Sequence, residues 1–179
     1  MSDSSSKNWQ AIIYLVSELK RCDENDITTA SLAMAYICID ALANLARPLN
    51  KQRVTRSDFK EWVDTYLKTH PQQPYHYRGK DVYAARCALL HTYGSEVELH
   101  EEDPDTIIFG YHNGGKHQYN PDINRGLAII GTKSFINDVI IAAESFLENC
   151  QNDALLRHRV ESRLDKFLNA FPYPNEKKT

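Results

Sequence analysis

The sequence predicts a mainly α-helical single domain, residues 1–171, carrying a small antiparallel β insertion at about residues 96–131. Three observations support this. Apolar residues recur at three- and four-residue spacing along most of the chain. One such segment, residues 27–46, holds a single charged residue, Asp40, in twenty positions. An Asn113-Gly114 pair stands between extended runs, and Asn-Gly there is a strong hairpin signal because a type I′ turn needs positive φ at both central positions. At 179 residues and 42% hydrophobic content the chain suits one domain with its own core.

In order along the chain, Trp9, Ile12, Ile13, Val16 and Leu19 form the apolar stripe of a first helix, with Ser5 or Ser6 as its cap. Residues 27–46 follow Asp26 and Thr28, both N-cap types, and stop at Arg47-Pro48. The length raises a membrane question, but Thr28, Thr29, Ser31, Asn44 and the central Asp40 favour a helix buried in a bundle. Thr55 or Ser57 caps a third helix bearing Phe59, Trp62, Val63, Tyr66 and Leu67, which residues 70–74 terminate. A fourth runs over about residues 81–92, with Gly94 as its left-handed C-cap. Beyond the extended middle stretch, Thr132 caps a fifth helix and a sixth spans about residues 153–170, leaving 172–179 as a flexible tail.

Charge and cysteine content narrow the function classes. Twenty-one Lys and Arg against 24 Asp and Glu give a net charge of -3, which excludes a generic nucleic-acid coat protein. Any nucleic-acid site must therefore be local. Cys22, Cys38, Cys87 and Cys150 form no C-x-x-C pair and read as core hydrophobes in a reducing cytoplasm. The N-terminus has no basic n-region, so a cytoplasmic protein without a membrane segment is expected.

Asp40 is the first candidate for chemistry. A carboxylate facing the core needs a cationic partner, since an isolated buried charge is prohibitively expensive. Arg86, in the otherwise uncharged stretch Tyr83-Ala84-Ala85-Arg86-Cys87-Ala88-Leu89-Leu90-His91, is the leading partner. On that basis Asp40→Ala is expected to cost on the order of 3 to 5 kcal/mol if the pair is structural. His91 follows five residues after Arg86; on an ideal α-helix the two stand ~140° apart and ~7.5 Å along the axis, so the Arg must reach toward the His. A guanidinium offers planar donors to phosphate oxygens. An imidazole titrates near working pH and serves as general base or acid, and a helix C-terminus favours its charged form. Together they suit metal-free attack of a ribose 2′-hydroxyl on its own phosphodiester, with Asp40 orienting Arg86.

Arg86-Cys87-Ala88-Leu89-Leu90-His91 resembles the R-x4-6-H motif of the HEPN superfamily, small helical bundles found in RNA-cleaving toxins, phage-defence proteins and CRISPR ribonucleases. The likeness covers the helical framework, from the helix carrying Asp40 to the motif helix ending at Thr92-Tyr93-Gly94. It implies a HEPN-like bundle that homodimerises so that two Arg-His pairs line one cleft, acting as a metal-independent endoribonuclease in a toxin-antitoxin or defence role. No cofactor is implied, and a protein antitoxin or regulator is. Arg86 and His91 would be catalytic; Asp40, Tyr83 and Tyr93 would support them. Many active members carry a polar residue directly after the Arg, where this chain has Cys87. The alternative is a non-catalytic HEPN-like module that binds a nucleotide, RNA or a protein and keeps the pair as structure.

Arg47, Lys51, Arg53 and Arg56, with no acid among residues 41–57, form the candidate RNA-binding patch. Glu96, Glu98, Glu101, Glu102, Asp103 and Asp105 form an acidic stretch, read as a solvated segment or edge-strand protection. His100, His112 and His117 lie near it, but their spacing fits no zinc pattern, and no metal site is expected.

Overall fold

The computed structural model describes residues 3–168, with side chains from Trp9 onward. Helix α1 (Asp3–Glu24) turns Ala11, Ile12, Val16 and Leu19 into the core at the spacing read from the sequence, while Ile13 remains 47% exposed. The helix begins at Asp3, so Ser5 and Ser6 lie inside it rather than capping it. The next N-terminus also departs from expectation. Helix α2 (Thr28–Ala46) has Ile27 at its N-cap with no side-chain cap, because Asp26 sits in the left-handed region with its carboxylate bonded to Lys133 Nζ at 2.9 Å.

Helix α2 is long and apolar enough to cross a membrane, and half of it is buried within the bundle. Its Leu32, Ala35, Tyr36, Ile39, Leu42 and Leu45 pack against α1 and three later helices: α3 (Arg56–Tyr66), α6 (Thr132–Asn152) and α7 (Ala154–Leu164). Its C-terminal carbonyls have no intrahelical donors. Two arginines supply them: Arg47 Nη1 donates to Asn44 and Arg163 Nη1 to Leu45, which also places positive charge at the negative end of the helix dipole.

Thr55 caps α3 as expected, and a capping box forms: Thr55 Oγ1 accepts from the Asp58 N–H, and Asp58 Oδ2 accepts from the Thr55 N–H at 2.8 Å. Phe59, Trp62 and Val63 face the core. Helix α4 (Gly79–Cys87) then packs on α3 so closely that a Cβ at Gly79 would lie 2.5 Å from the Lys60 carbonyl oxygen. Its N–H donates to Asp64 Oδ1 at 2.7 Å. A π-helical turn (Ala88–Thr92) and the short α5 (Leu99–Glu102) follow.

The strands correct the hairpin expectation. Strand β1 (Ile108–His112) pairs in parallel with β2 (Leu127–Gly131), in register from Ile108↔Leu127 to His112↔Gly131. Parallel strands need a long return connection, and residues 113–126 provide it. No glycine among the described residues has positive φ, so Asn113-Gly114 does not make the turn a tight hairpin requires. The polar residues 116–119 contribute only an isolated antiparallel bridge, Gln118↔Ile129. The apolar residues of 127–130 win the pairing because Ala128 and Ile130 bury beside Phe109.

Helix α6 starts at Thr132 with Gly131 at the N-cap, so Thr132 is its first residue and makes no cap bond. Asp153 caps α7, accepting from Leu155 N at 2.8 Å and Leu156 N at 3.0 Å. Helix α7 ends at Leu164, short of residue 170, although Phe167 still packs on the core. The tail at 172–179 lies outside the described residues.

The fully buried Asp81 holds the base of α4 to the sheet. It accepts from Tyr75 Oη at 2.7 Å, Arg78 Nε at 2.5 Å, Arg78 Nη2 at 2.9 Å and Ile107 N at 2.9 Å. Asp81→Ala orphans two buried donors and releases Arg78, and is expected to cost about 3 kcal/mol or more. Thr55→Ala, which removes one cap, should cost about 1 kcal/mol. Urea denaturation of both variants measures the difference; equal, small losses would refute the role given to Asp81.

Candidate active site

Arg86 and His91 cannot share a face on a regular α-helix, and the chain solves this by widening. From Ala88 to Thr92 the helix is π, with i→i+5 bonding: the Tyr93 N–H reaches Ala88 O as well as Leu89 O. Thr92 Oγ1 also donates to Ala88 O at 2.8 Å, a side-chain bond of the kind that bends helices. The helix ends at Tyr93, which takes the left-handed conformation (φ 53°) expected of Gly94, and Gly94 N then reaches back to Ala88 O at 3.1 Å. Adding one residue to the turn swings His91 beneath Arg86.

The expected trio is assembled. Arg86 Nε donates to Asp40 Oδ2 at 2.7 Å, Nη2 lies 2.6 Å from the same oxygen, and Nη1 lies 2.8 Å from His91 Nε2. A guanidinium has only donors, so His91 Nε2 accepts and the imidazole is neutral with its proton on Nδ1. This is the opposite of what the helix end alone favours. Burial raises the Asp40 carboxyl above the usual carboxylate range, and the Arg86 hydrogen bond and charge pull it back. Burial opposes the Arg86 charge, but Asp40 more than offsets it and holds the guanidinium above its usual pKa. The pair is only partly enclosed, with the Arg86 side chain 20% and the Asp40 side chain 31% exposed, while His91 is open to solvent.

Of the supporting residues, Tyr83 packs edge-on to Phe59 with centroids 5.3 Å apart, bonds with Cys87 and is half-buried. Tyr93 is 75% exposed beside His91 in sequence. The basic segment is divided. Arg47 is taken up by the end of α2, Lys51 Nζ pairs with buried Asp58 at 2.6 Å, and exposed Arg53 makes no ion pair among the described residues. Arg56 alone of the four approaches the motif: with Cys87, Thr92, Leu99 and Glu102 it lines a groove of about 330 Å³. The acidic stretch folds over this side, Glu102 lying 3.9 Å from Arg56 and Asp103 pairing with Lys80 at 2.9 Å.

The three histidines weighed as metal ligands are engaged separately. His100 Nδ1 contacts Val97, His112 Nε2 donates to Lys116 O at 2.7 Å, and His117 is buried in a chain not foreseen from sequence. His117 Nδ1 accepts from Gly131 N at 3.0 Å, so its Nε2–H donates to Tyr77 Oη at 2.8 Å and Tyr77 donates to Asp138 Oδ2 at 3.0 Å. Burial, with His112 and His76 nearby, lowers the His117 pKa to about 4. Burial raises Asp138 to about 6 against the pull of Tyr77 and His70. The one sequence hint was a lone Asp138 between the core residues Ile136 and Val139.

The partial exposure of the Asp40–Arg86 pair revises the cost of breaking it: Asp40→Ala is expected to lose about 1 to 3 kcal/mol in urea denaturation, below the range for a fully buried pair. The buried chain makes a prediction about pH. Between about pH 4 and 6 native Asp138 keeps a proton that the unfolded chain releases, so its contribution to stability falls as pH rises; native His117 lacks a proton the unfolded chain binds, so its contribution rises over about pH 4 to 6.5. Relative to the parent, Asp138→Asn should steepen the rise of Tm with pH in this window and His117→Gln should flatten or reverse it. Parallel Tm profiles for all three proteins would show that neither group titrates as assigned.

Comparison with protein families, curated proteins and solved structures finds no match for this chain, so its functional reading rests on the Arg86–His91 geometry.

Proposed function

We propose that the chain is a HEPN-like, metal-independent endoribonuclease acting through Arg86 and His91. The observation that carries the reading is the 2.8 Å contact between an Asp40-anchored guanidinium and an open, neutral imidazole. An entering phosphodiester competes for Arg86 Nη1, replacing the weaker acceptor His91 with charged oxygens. Freed of that bond, His91 Nε2 is the base that removes the 2′-hydroxyl proton as the 2′-oxygen attacks phosphorus, and Arg86 stabilises the charge that grows on the phosphoryl oxygens. The P–O5′ bond breaks to leave a 2′,3′-cyclic phosphate and a 5′-hydroxyl that takes its proton from solvent. The nucleophile belongs to the substrate, so the reaction needs no metal. Exposed Tyr93 offers a ring for an unpaired base to stack on.

A homodimer fits the same surface. Ile37 is 41% exposed on α2, and Ala33, Met34 and Ala41 are half-buried around Asp40 on the same stretch of helix. A second copy laid on this apolar face would bring two Arg86–His91 pairs to one cleft. Cleavage of cellular RNA demands control, which suits a toxin or phage-defence role under a protein antitoxin or regulator.

Purified protein incubated with single-stranded RNA in EDTA is expected to cleave it. Arg86→Ala, Arg86→Lys and His91→Ala should each reduce the rate by about a hundredfold or more. RNA binding without cleavage would make the chain a binding module, and cleavage unaffected by Arg86→Ala or His91→Ala would refute the assignment. Ile37→Glu should convert a dimer to monomers in light scattering and lower activity with it.

A further inference from the structure

Three arginines converge where α2 ends, and none of them makes an ion pair among the described residues. Arg47 and Arg163 are held by backbone carbonyls: Arg47 by Asn44, Lys51 and Gln52, Arg163 by Leu45, Pro48 and Arg159. Carbonyl dipoles fix these guanidiniums in place without neutralising them. Burial, then the charges of Arg47 and Arg159, lower the pKa of Arg163, so the three guanidiniums act on one another at this end of α2.

A cavity of about 220 Å³ opens there between α2, α3 and α7, lined by Arg47, Arg159, Trp62, Thr65 and Tyr66. Its carboxylates are Asp58, Asp153 and Glu61. Asp58 is neutralised by Lys51 and bonded by Thr55, and Asp153 accepts the first N–H groups of α7. Glu61 is exposed and makes no ion pair among the described residues. The cavity wall also contains a donor lacking an acceptor, the buried Trp62 Nε1.

We propose that this cavity binds a phosphoryl group, with Arg159 supplying the direct ion pair and Arg47 and Arg163 the positive field around it. Planar guanidinium donors match phosphate oxygens, and a dianion balances more of the crowded charge than a carboxylate does. The assignment does not rest on the RNA-cleavage reading, since no residue of the Arg86–His91 pair takes part.

The chain has two tryptophans, so Trp9→Phe leaves Trp62, in the cavity wall, as the sole tryptophan, which can be excited selectively over the tyrosines. Titration of this variant with inorganic phosphate is expected to give a saturable change in emission, absent with potassium chloride at equal ionic strength. Arg159→Ala should weaken binding about tenfold or more, and Glu61→Gln should strengthen it. A nucleoside monophosphate and a single-stranded DNA oligonucleotide without terminal phosphates separate the sources: tighter binding of the former assigns a small phosphomonoester, of the latter a strand backbone. Absence of a saturable response to phosphate, or affinity unchanged by Arg159→Ala while circular dichroism shows a folded protein, would overturn the proposal.

Discussion

Burial of α2 against four other helices is the constraint on which the remaining architecture depends, because a nineteen-residue apolar helix has no stable place in water. Its one carboxylate then has to be answered from another element. Arg86 does this from α4, and the ion pair leaves one guanidinium nitrogen free to face His91. The same demand recurs at the end of the helix, where Arg47 and Arg163 satisfy carbonyls that no residue of α2 can reach. Both candidate sites thus arise where polar groups of a buried helix recruit arginines.

Positioning of the motif depends on a second constraint, the anchoring of α4. Gly79 allows its first turn to meet the α3 backbone, and Asp81 ties that turn to Tyr75, Arg78 and the start of β1. With the N-terminal end held, the strain of matching Arg86 to His91 is taken by the other end, as a π-turn closed by a left-handed Tyr93. A tyrosine in that conformation is costly relative to glycine, which places local strain beside the residues assigned to chemistry.

The sheet is held to its neighbours by a second set of buried hydrogen bonds. His117, Tyr77 and Asp138 link the 113–126 connection, the segment before α4 and helix α6 through consecutive hydrogen bonds. Burial pushes both groups toward their uncharged forms: above about pH 4 the histidine carries no charge, and the carboxylate that forms above about pH 6 is met by the Tyr77 hydroxyl. That arrangement fixes β2 beside β1 and takes up both ring nitrogens of His117.

The amino-acid sequence by itself determined what is local. The spacing of Ile12, Val16 and Leu19, the Thr55 cap, and the core character of residues 27–46 all follow from periodicity and capping chemistry within a few residues. The Asp40–Arg86 pairing was also legible, since an inward carboxylate in a charge-free helix leaves few cations to choose from. Tertiary structure decided the rest: the parallel pairing of β1 with β2, the π-turn, the neutral state of His91, the dispersal of Arg47, Lys51, Arg53 and Arg56, and the meeting of Arg47 with Arg159 and Arg163. Each of these depends on partners distant in sequence, and the free energy of burying one strand or satisfying one carbonyl outweighs the local preference of an Asn-Gly pair or a basic run.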